Sequence, residues 1–573
     1  MKYYISYQYP QHHFINITLY LRDINEDTTY LQLPSWRPGR YELGNFAKNI
    51  QKFNILDMQG GRVPHKKISK DRWELATKGV TELQVKYTYY GNQMDAGGTY
   101  LDEEQLYINF INCMLYAEGR LNQPCEVHLQ LPDDYKIACS LTQTAHHTLK
   151  ASDYYELVDS PMIASNRLQH HSYLAGDAIF HLWAMGDSGS LNWPLTLEAF
   201  RRFSEAQVKT MQGFPAPEYH FLFQFLPYKA YHGVEHGAST VVILGPSNEL
   251  HLPDLYKNLL GISSHELYHV WNIIRIRPAE MMPYDFTKEN YFTTGFVAEG
   301  VTTYYGDLFL ARGGVFDLDE YLVELNRSLQ RHVSNGGRFN HSLIDSGFDL
   351  WLDGYSPGIP NRKVSIYVKG SLVALLLDLQ LRKLTNNERS LDDVMQLLMQ
   401  EFAIEKKGYT YEDYKNIVDR VAGQPMDEYF RLYVEGLEPL ENHLPELLEW
   451  VGLSLRQQPA RSSTQRLYGF KVGEKEGNII SIQDVAPGSP AEKHLSRGDE
   501  LVAINGRRIQ LNNLEELLAA EQDKVLISFF RNHTLRTVEL TAGESSYKTE
   551  LKILPLPNPS PDQLQSRAAW LWQ

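Results

Sequence analysis

The first part of the chain carries runs whose apolar positions alternate or cluster in β-branched stretches: FINITLYL at 14–21, ELQVKYTYY at 82–90 and CEVHLQL at 125–131. Asp, Asn, Gly and Pro separate them, which predicts a β-rich domain over residues 1–170. From 171 to 450 the period becomes helical. SLVALLLDLQLRKL and LDDVMQLLMQEFA place apolar residues three and four apart. YHFLFQFLPY and STVVILGP keep strand character, so a small sheet leads into a mostly helical domain of α+β class. The polar stretch RQQPARSSTQR near 455–465 reads as a linker. Beyond it, NIISIQDV, ELVAING, KVLISFF and TVELTA surround the helical LNNLEELLAAE and predict a third domain at 460–545, with 546–573 as a C-terminal tail.

Composition narrows the functional classes. A formal charge of -15 and no basic stripe argue against nucleic acid as a partner. No apolar run is long enough to span a bilayer, and the opening MKYYISYQYP lacks the apolar core of a secretory signal, so a soluble, cytoplasmic protein without membrane association is expected. The three cysteines, Cys113, Cys125 and Cys139, are too few for a disulfide framework and contain no CxxC pair, so they read as ordinary thiols.

The chemistry concentrates in SSHELYHVWN. His265 and His269 are four apart and share one helix face, where two neutral imidazoles can hold one Zn2+ ion. Glu266 between them is the expected general base: it takes a proton from the attacking water and returns it to the leaving amine. A third ligand must lie downstream, and Glu280, Glu289 and Glu299 are the candidates. Glu299 is preferred because the apolar positions Phe296, Val297, Val301, Tyr304 and Leu308 predict a buried helix, in which a carboxylate needs a counter-charge. Asn272 and Asp307 are polar residues close to the ligands in sequence, and neither is assigned a role. In the N-terminal part, LPSWRPGRYELGNFAKN suggests a fixed turn and offers no reactive set, so it reads as a structural loop.

HELYHVWNIIRIRP, AEGVTTYY and LPSWRPGRY together resemble the M61 peptidases, the glycyl aminopeptidase family, relatives of the larger M1 aminopeptidases. The resemblance covers nearly the whole chain and implies a thermolysin-like (gluzincin) catalytic domain that removes N-terminal residues, glycine or alanine favoured. It also makes Tyr367, in the YxKG motif Tyr367–Gly370, the hydrogen-bond donor to the oxyanion. HGVEHGAST is similar to the GxMEN strand of the relatives, which places Glu235 at the substrate's free α-amine. Val234 and His236 depart from that motif, and His236 is either a substrate contact or a strand histidine with its bonds satisfied.

VAPGSPAEKHLSRGDELVAINGRRI, with Gly498, Asp499, Asn505 and Gly506, resembles a PDZ domain, and Tyr468, Gly469 and Phe470 of LYGF would form its carboxylate-binding loop. That groove would either gather protein C-termini or be covered by the chain itself. The expectation is a multidomain α+β zinc aminopeptidase acting on peptides with free N-termini. Its rivals are an endopeptidase that recruits substrates through the PDZ domain and a catalytically silent peptide binder.

Overall fold

The computed structural model spans the chain and describes every residue except 357, 476, 520–523 and 544–545. Residues 2–165 contribute fifteen strands to one seven-stranded and two four-stranded sheets. Phe14–Leu21 shows why: Ile15, Ile17, Leu19 and Leu21 are buried while the residues between them are not, the period of two of a sheet with one face on a core. The segment after Thr28–Gln32 leaves this domain. Ser35 N donates to Phe286 O at 2.7 Å, and the Trp36 indole N–H donates to Asp285 O at 2.7 Å.

The catalytic part opens with a five-stranded sheet in the order Gln169–Ala175, Ala178–Gly186, Glu218–Phe225, Ser239–Gly245, Ala230–Glu235. Its three inner strands are parallel, and the edge strand Ala230–Glu235 runs antiparallel to its neighbour. Ser239–Gly245 is buried at every residue, as a strand covered on both faces must be. The sheet inferred from YHFLFQFLPY and STVVILGP is therefore present, with its edge strand beside the helix that carries HELYH.

That helix, Pro253–Tyr268, begins with Pro at its first position and Asp254 in its first turn, where a missing N–H costs nothing and a negative charge meets the helix dipole. Its neighbour runs from Phe296 through one π-helical turn, Phe296–Val301, into the α-helix Thr302–Arg312. The five apolar residues that predicted it are all buried. Helix Val368–Leu384 is buried almost all round, so a stripe of polar residues is absent from its sequence. All of this, with helix Pro561–Leu571, lies in one compact unit: 1–324, 337–440 and 561–573.

The second unit comprises 325–336 and 441–560. Phe470–Lys475, Ile479–Val485, Glu500–Ile504, Lys524–Arg531 and Thr534–Thr541 form its main sheet, closed on Phe470, Ile480, Ile504, Val525 and Ile527. Two readings of the sequence are corrected here. The polar stretch taken as a linker begins as strand, Leu453–Pro459, paired antiparallel with Thr549–Pro555 from the presumed tail. The last residues form a helix whose Trp570 is fully buried and donates to the Tyr304 hydroxyl at 2.8 Å. Among the described residues no helix is long and apolar enough to cross a membrane, and the three cysteines are free and buried.

Candidate metal centre and active site

His265 lies in the last turn of helix Pro253–Tyr268 and His269 caps its end. Their Nε2 atoms stand 3.1 Å apart, and Glu299 Oε2 lies 3.9 Å from His265 Nε2 and 3.4 Å from His269 Nε2. Tetrahedral zinc with bonds of the usual length needs ligand atoms about 3.3 Å apart, so the three residues fit that ion. Glu280 and Glu289 take no part in this group.

The chain around the ligands fixes their aim. His269 Nδ1 donates to Asn272 O at 3.1 Å, which in the neutral ring would leave the Nε2 lone pair available to a metal. The Asn272 side chain donates to Val297 O, Ala298 O and Thr302 Oγ1, holding the π-helical turn that presents Glu299. To place that carbonyl the chain reverses directly after the helix, with the buried Ile273 at φ 77°, a conformation that a β-branched side chain resists. Arg275 donates to Val270 O and Gly237 O, and Arg277 to Ile274 O, clamping the reversal. This is why the motif extends past HExxH to RIRP. Asn272 thus has a role that sequence left open, whereas Asp307 lies beside Gly261, one turn away from the imidazoles.

Glycines set the close approaches. A Cβ on Gly306 would stand 3.1 Å from that of His265, and one on Gly233 would fall 2.2 Å from Glu266 Oε1. A Cβ on Gly300 would come 2.5 Å from the Cα of Gly370, so the helices bearing Glu299 and Tyr367 cross backbone to backbone.

Glu266 Oε2 is buried with no hydrogen-bond partner, an orphan that a water at the ion would satisfy. Burial, opposed by His269 and reinforced by Glu235 and Glu299, holds the Glu266 carboxyl well above its ordinary range. Burial likewise raises Glu235. Burial pushes His265 down to about 3; it opposes charge on His269 too, but Glu299, Glu235 and Glu266 outweigh it and lift that ring to about 10. Three buried carboxyl groups around two imidazoles make a site short of positive charge, which a divalent cation supplies.

The segment read as a structural loop belongs to this centre. Tyr41 donates its hydroxyl proton to Glu299 Oε1 at 3.0 Å, and Gly39, at φ 77°, lies so close to Glu235 that a Cβ would meet Oε2 at 2.6 Å. Tyr41 N donates to the Tyr355 hydroxyl at 3.3 Å. Tyr367, half-buried at the start of its helix, is an electrostatic neighbour of both Tyr355 and Glu299. Replacing Tyr41 by phenylalanine is expected to weaken zinc binding by about 10- to 100-fold, read by competition with a chromogenic chelator. Unchanged affinity would reduce Tyr41 to a packing residue.

His236 Nδ1 pairs with Asp159 Oδ1 at 3.0 Å, while its buried Nε2 has no partner. Both residues line a cavity of about 530 Å³ with Arg37, Pro38, Arg277 and Tyr284. Of the two residues that the resemblance to the GxMEN strand singled out, Glu235 groups with Glu266 and His269, and His236 lines the neighbouring cavity. A further gathering, His181, Glu218 and His220, suits a metal less well. The Trp183 indole N–H donates to His220 Nδ1 at 3.2 Å, which leaves the proton of the neutral ring on Nε2, the atom that would ligate.

In the second unit Tyr468 and Phe470 are buried in the core. The Gly469 amide donates to Thr464 O, and Gly543 N and Tyr547 N donate to Leu467 O and Arg466 O. The carboxylate-binding loop inferred from LYGF is thus partly engaged by its own chain.

Residues 2–166 match the Peptidase M61 N-terminal domain, 258–373 the M61 glycyl aminopeptidase and 458–525 the PDZ domain. A search of curated proteins returned no match. Among solved structures, the aminopeptidase N family protein from Idiomarina loihiensis is 27% identical with a TM-score of 0.91, over 100% of this chain and 99% of that one. The M1 zinc metallopeptidase from Deinococcus radiodurans is 14% identical over 77% of this chain and 94% of that one, TM-score 0.48. A mutant of that enzyme bound to a Tyr-ser-ala substrate is 15% identical over the same shares, TM-score 0.48. With an M61 N-terminal domain, an M61 glycyl aminopeptidase domain and a PDZ domain matched in that order along the chain, the protein is a zinc metallopeptidase built from M61-type domains and a C-terminal PDZ domain.

Proposed function

We propose that the protein removes the N-terminal residue of peptides, glycine or alanine by preference, with one zinc ion held by His265, His269 and Glu299. The observation that carries this reading is Glu235: a buried carboxylate within 4.8 Å of Glu266 and His269 ligand atoms, walled by Gly39, with no Lys or Arg within 4 Å among the described residues. A peptide's free ammonium group supplies a cation. His236, its Nδ1 proton directed to Asp159, offers the Nε2 lone pair as a second acceptor for the same end.

Zinc, when bound, polarises the scissile carbonyl and acidifies water. Glu266, unpartnered and held at Gly233, takes the proton of the attacking water and passes it to the leaving amine. Tyr367 donates its hydroxyl proton in a hydrogen bond to the developing oxyanion, with Tyr355 beside it. A small first pocket gives the preference for glycine and alanine, since each added methylene is worth roughly 10- to 200-fold in selection. Protein C-termini at the PDZ loop would have to displace the bond that Gly469 makes with Thr464.

The test is a panel of aminoacyl chromogenic amides and their N-acetyl counterparts, assayed with chelator and with zinc restored. Glycyl and alanyl substrates should be cleaved in a chelator-sensitive manner and their acetylated forms at least about a hundredfold more slowly. Equal cleavage of blocked substrates would make the protein an endopeptidase. No cleavage with zinc bound would leave a peptide-binding protein.

A further inference from the structure

Among the described residues three arginines are buried: Arg37, Arg312 and Arg382. Arg312 is paired with Asp392, and Arg382 with Asp378 and Asp392, as a guanidinium out of water must be. Arg37 is 6% exposed and has no carboxylate within 4 Å among the described residues. The one hydrogen bond its side chain makes goes to the carbonyl of its neighbour Pro38, at 3.2 Å.

Its position is built, not incidental. The guanidinium lies on Gly97, where a Cβ would come within 2.1 Å of its Cζ, Nε and Nη2 atoms, so the glycine keeps the space that the cation occupies. Gly97 N in turn donates to Asp95 Oδ1 at 2.9 Å, fixing the turn beneath. Arg37 lines the cavity of about 530 Å³ that also holds His236 and Asp159, a volume within the range of small-ligand sites, roughly 300–1,000 Å³. It stands two residues from Gly39, which abuts Glu235. At roughly 3.3–3.6 Å per extended residue, a peptide whose ammonium group rests on Glu235 reaches Arg37 within two or three residues.

A buried cation with no carboxylate partner among the described residues, facing a cavity beside a peptidase centre, calls for an anion that arrives with the substrate. A planar fork of N–H donors matches a carboxylate. We propose that Arg37 receives the C-terminal carboxylate of short peptides, so that di- and tripeptides with free C-termini are the preferred substrates. This rests on the aminopeptidase reading for the other end of the peptide.

The experiment compares kcat/KM for Ala-Ala and Ala-Ala-Ala with their C-terminal amides and their N-acetyl forms, in the full-length zinc enzyme and in Arg37→Gln and Arg37→Lys. The wild type should favour the free acids by about a hundredfold, chiefly through KM. Arg37→Gln should bring the acid-to-amide ratio close to one, and Arg37→Lys should retain part of it. Equal rates for acids and amides in the wild type overturn the proposal, and that measurement needs no variant to fold. So does a ratio unchanged in Arg37→Gln, or a fall in kcat alike for acids and amides, which would make Arg37 a charge balance for Glu266. Rapid cleavage of the N-acetyl peptides would overturn the aminopeptidase reading instead, and the acid-to-amide ratio would still report on Arg37.

Discussion

Exchanging Glu266 for glutamine is expected to lower kcat by about 10³- to 10⁴-fold while zinc remains bound. Glutamine keeps the volume that Gly233 and the surrounding helix allow, so the site should not collapse. It cannot accept the water's proton and carry it to the amine. The proposed ligands are His265, His269 and Glu299, and none of them changes. Metal content and steady-state rates, measured on one preparation, check both halves of this result. Activity surviving with zinc in place would move the base elsewhere, and Glu235 would be the next residue to substitute.

Tyr367→Phe should reduce kcat by about 10²- to 10³-fold with little change in KM. A donor aimed at the developing oxyanion acts on the transition state more than on bound substrate, so the loss falls on kcat. The same substitution separates this tyrosine from Tyr41, whose hydroxyl meets Glu299 and whose removal acts on zinc affinity. A fall in metal content in Tyr367→Phe, rather than in kcat, would reverse the two assignments.

The proposed metal ligands could be picked out in the chain because they are local. His265, Glu266 and His269 share one helix, and Glu299 follows within a second helix announced by its apolar period. The order of sheet and helices in the catalytic part followed from the same periodicities. What escaped is non-local. Tyr41 meets a partner 258 positions later, and no spacing within LPSWRPGRY points to Glu299. One signal was present: a Gly between Pro38 and Arg40 marks a backbone turn that other residues resist, and here the turn clears Glu235. The strand Leu453–Pro459 was missed for the opposite reason. It belongs to a two-stranded ribbon in which only its first residue, Leu453, is buried, so it carries no alternation, and only its partner at 549–555 makes it a strand. The helix at the end of the chain is short, and Trp570 earns its place there through contacts that the sequence does not display.

The crossing of Gly300 and Gly370 also governs how this sequence can change over time. Two positions far apart in the chain occupy one shared volume, with a Cβ on Gly370 falling 2.8 Å from the Cα of Gly300. A side chain gained at either cannot be absorbed by trimming the other, which has nothing left to lose. Each glycine therefore bars drift at its counterpart, and variation in the two helices must pass around this point.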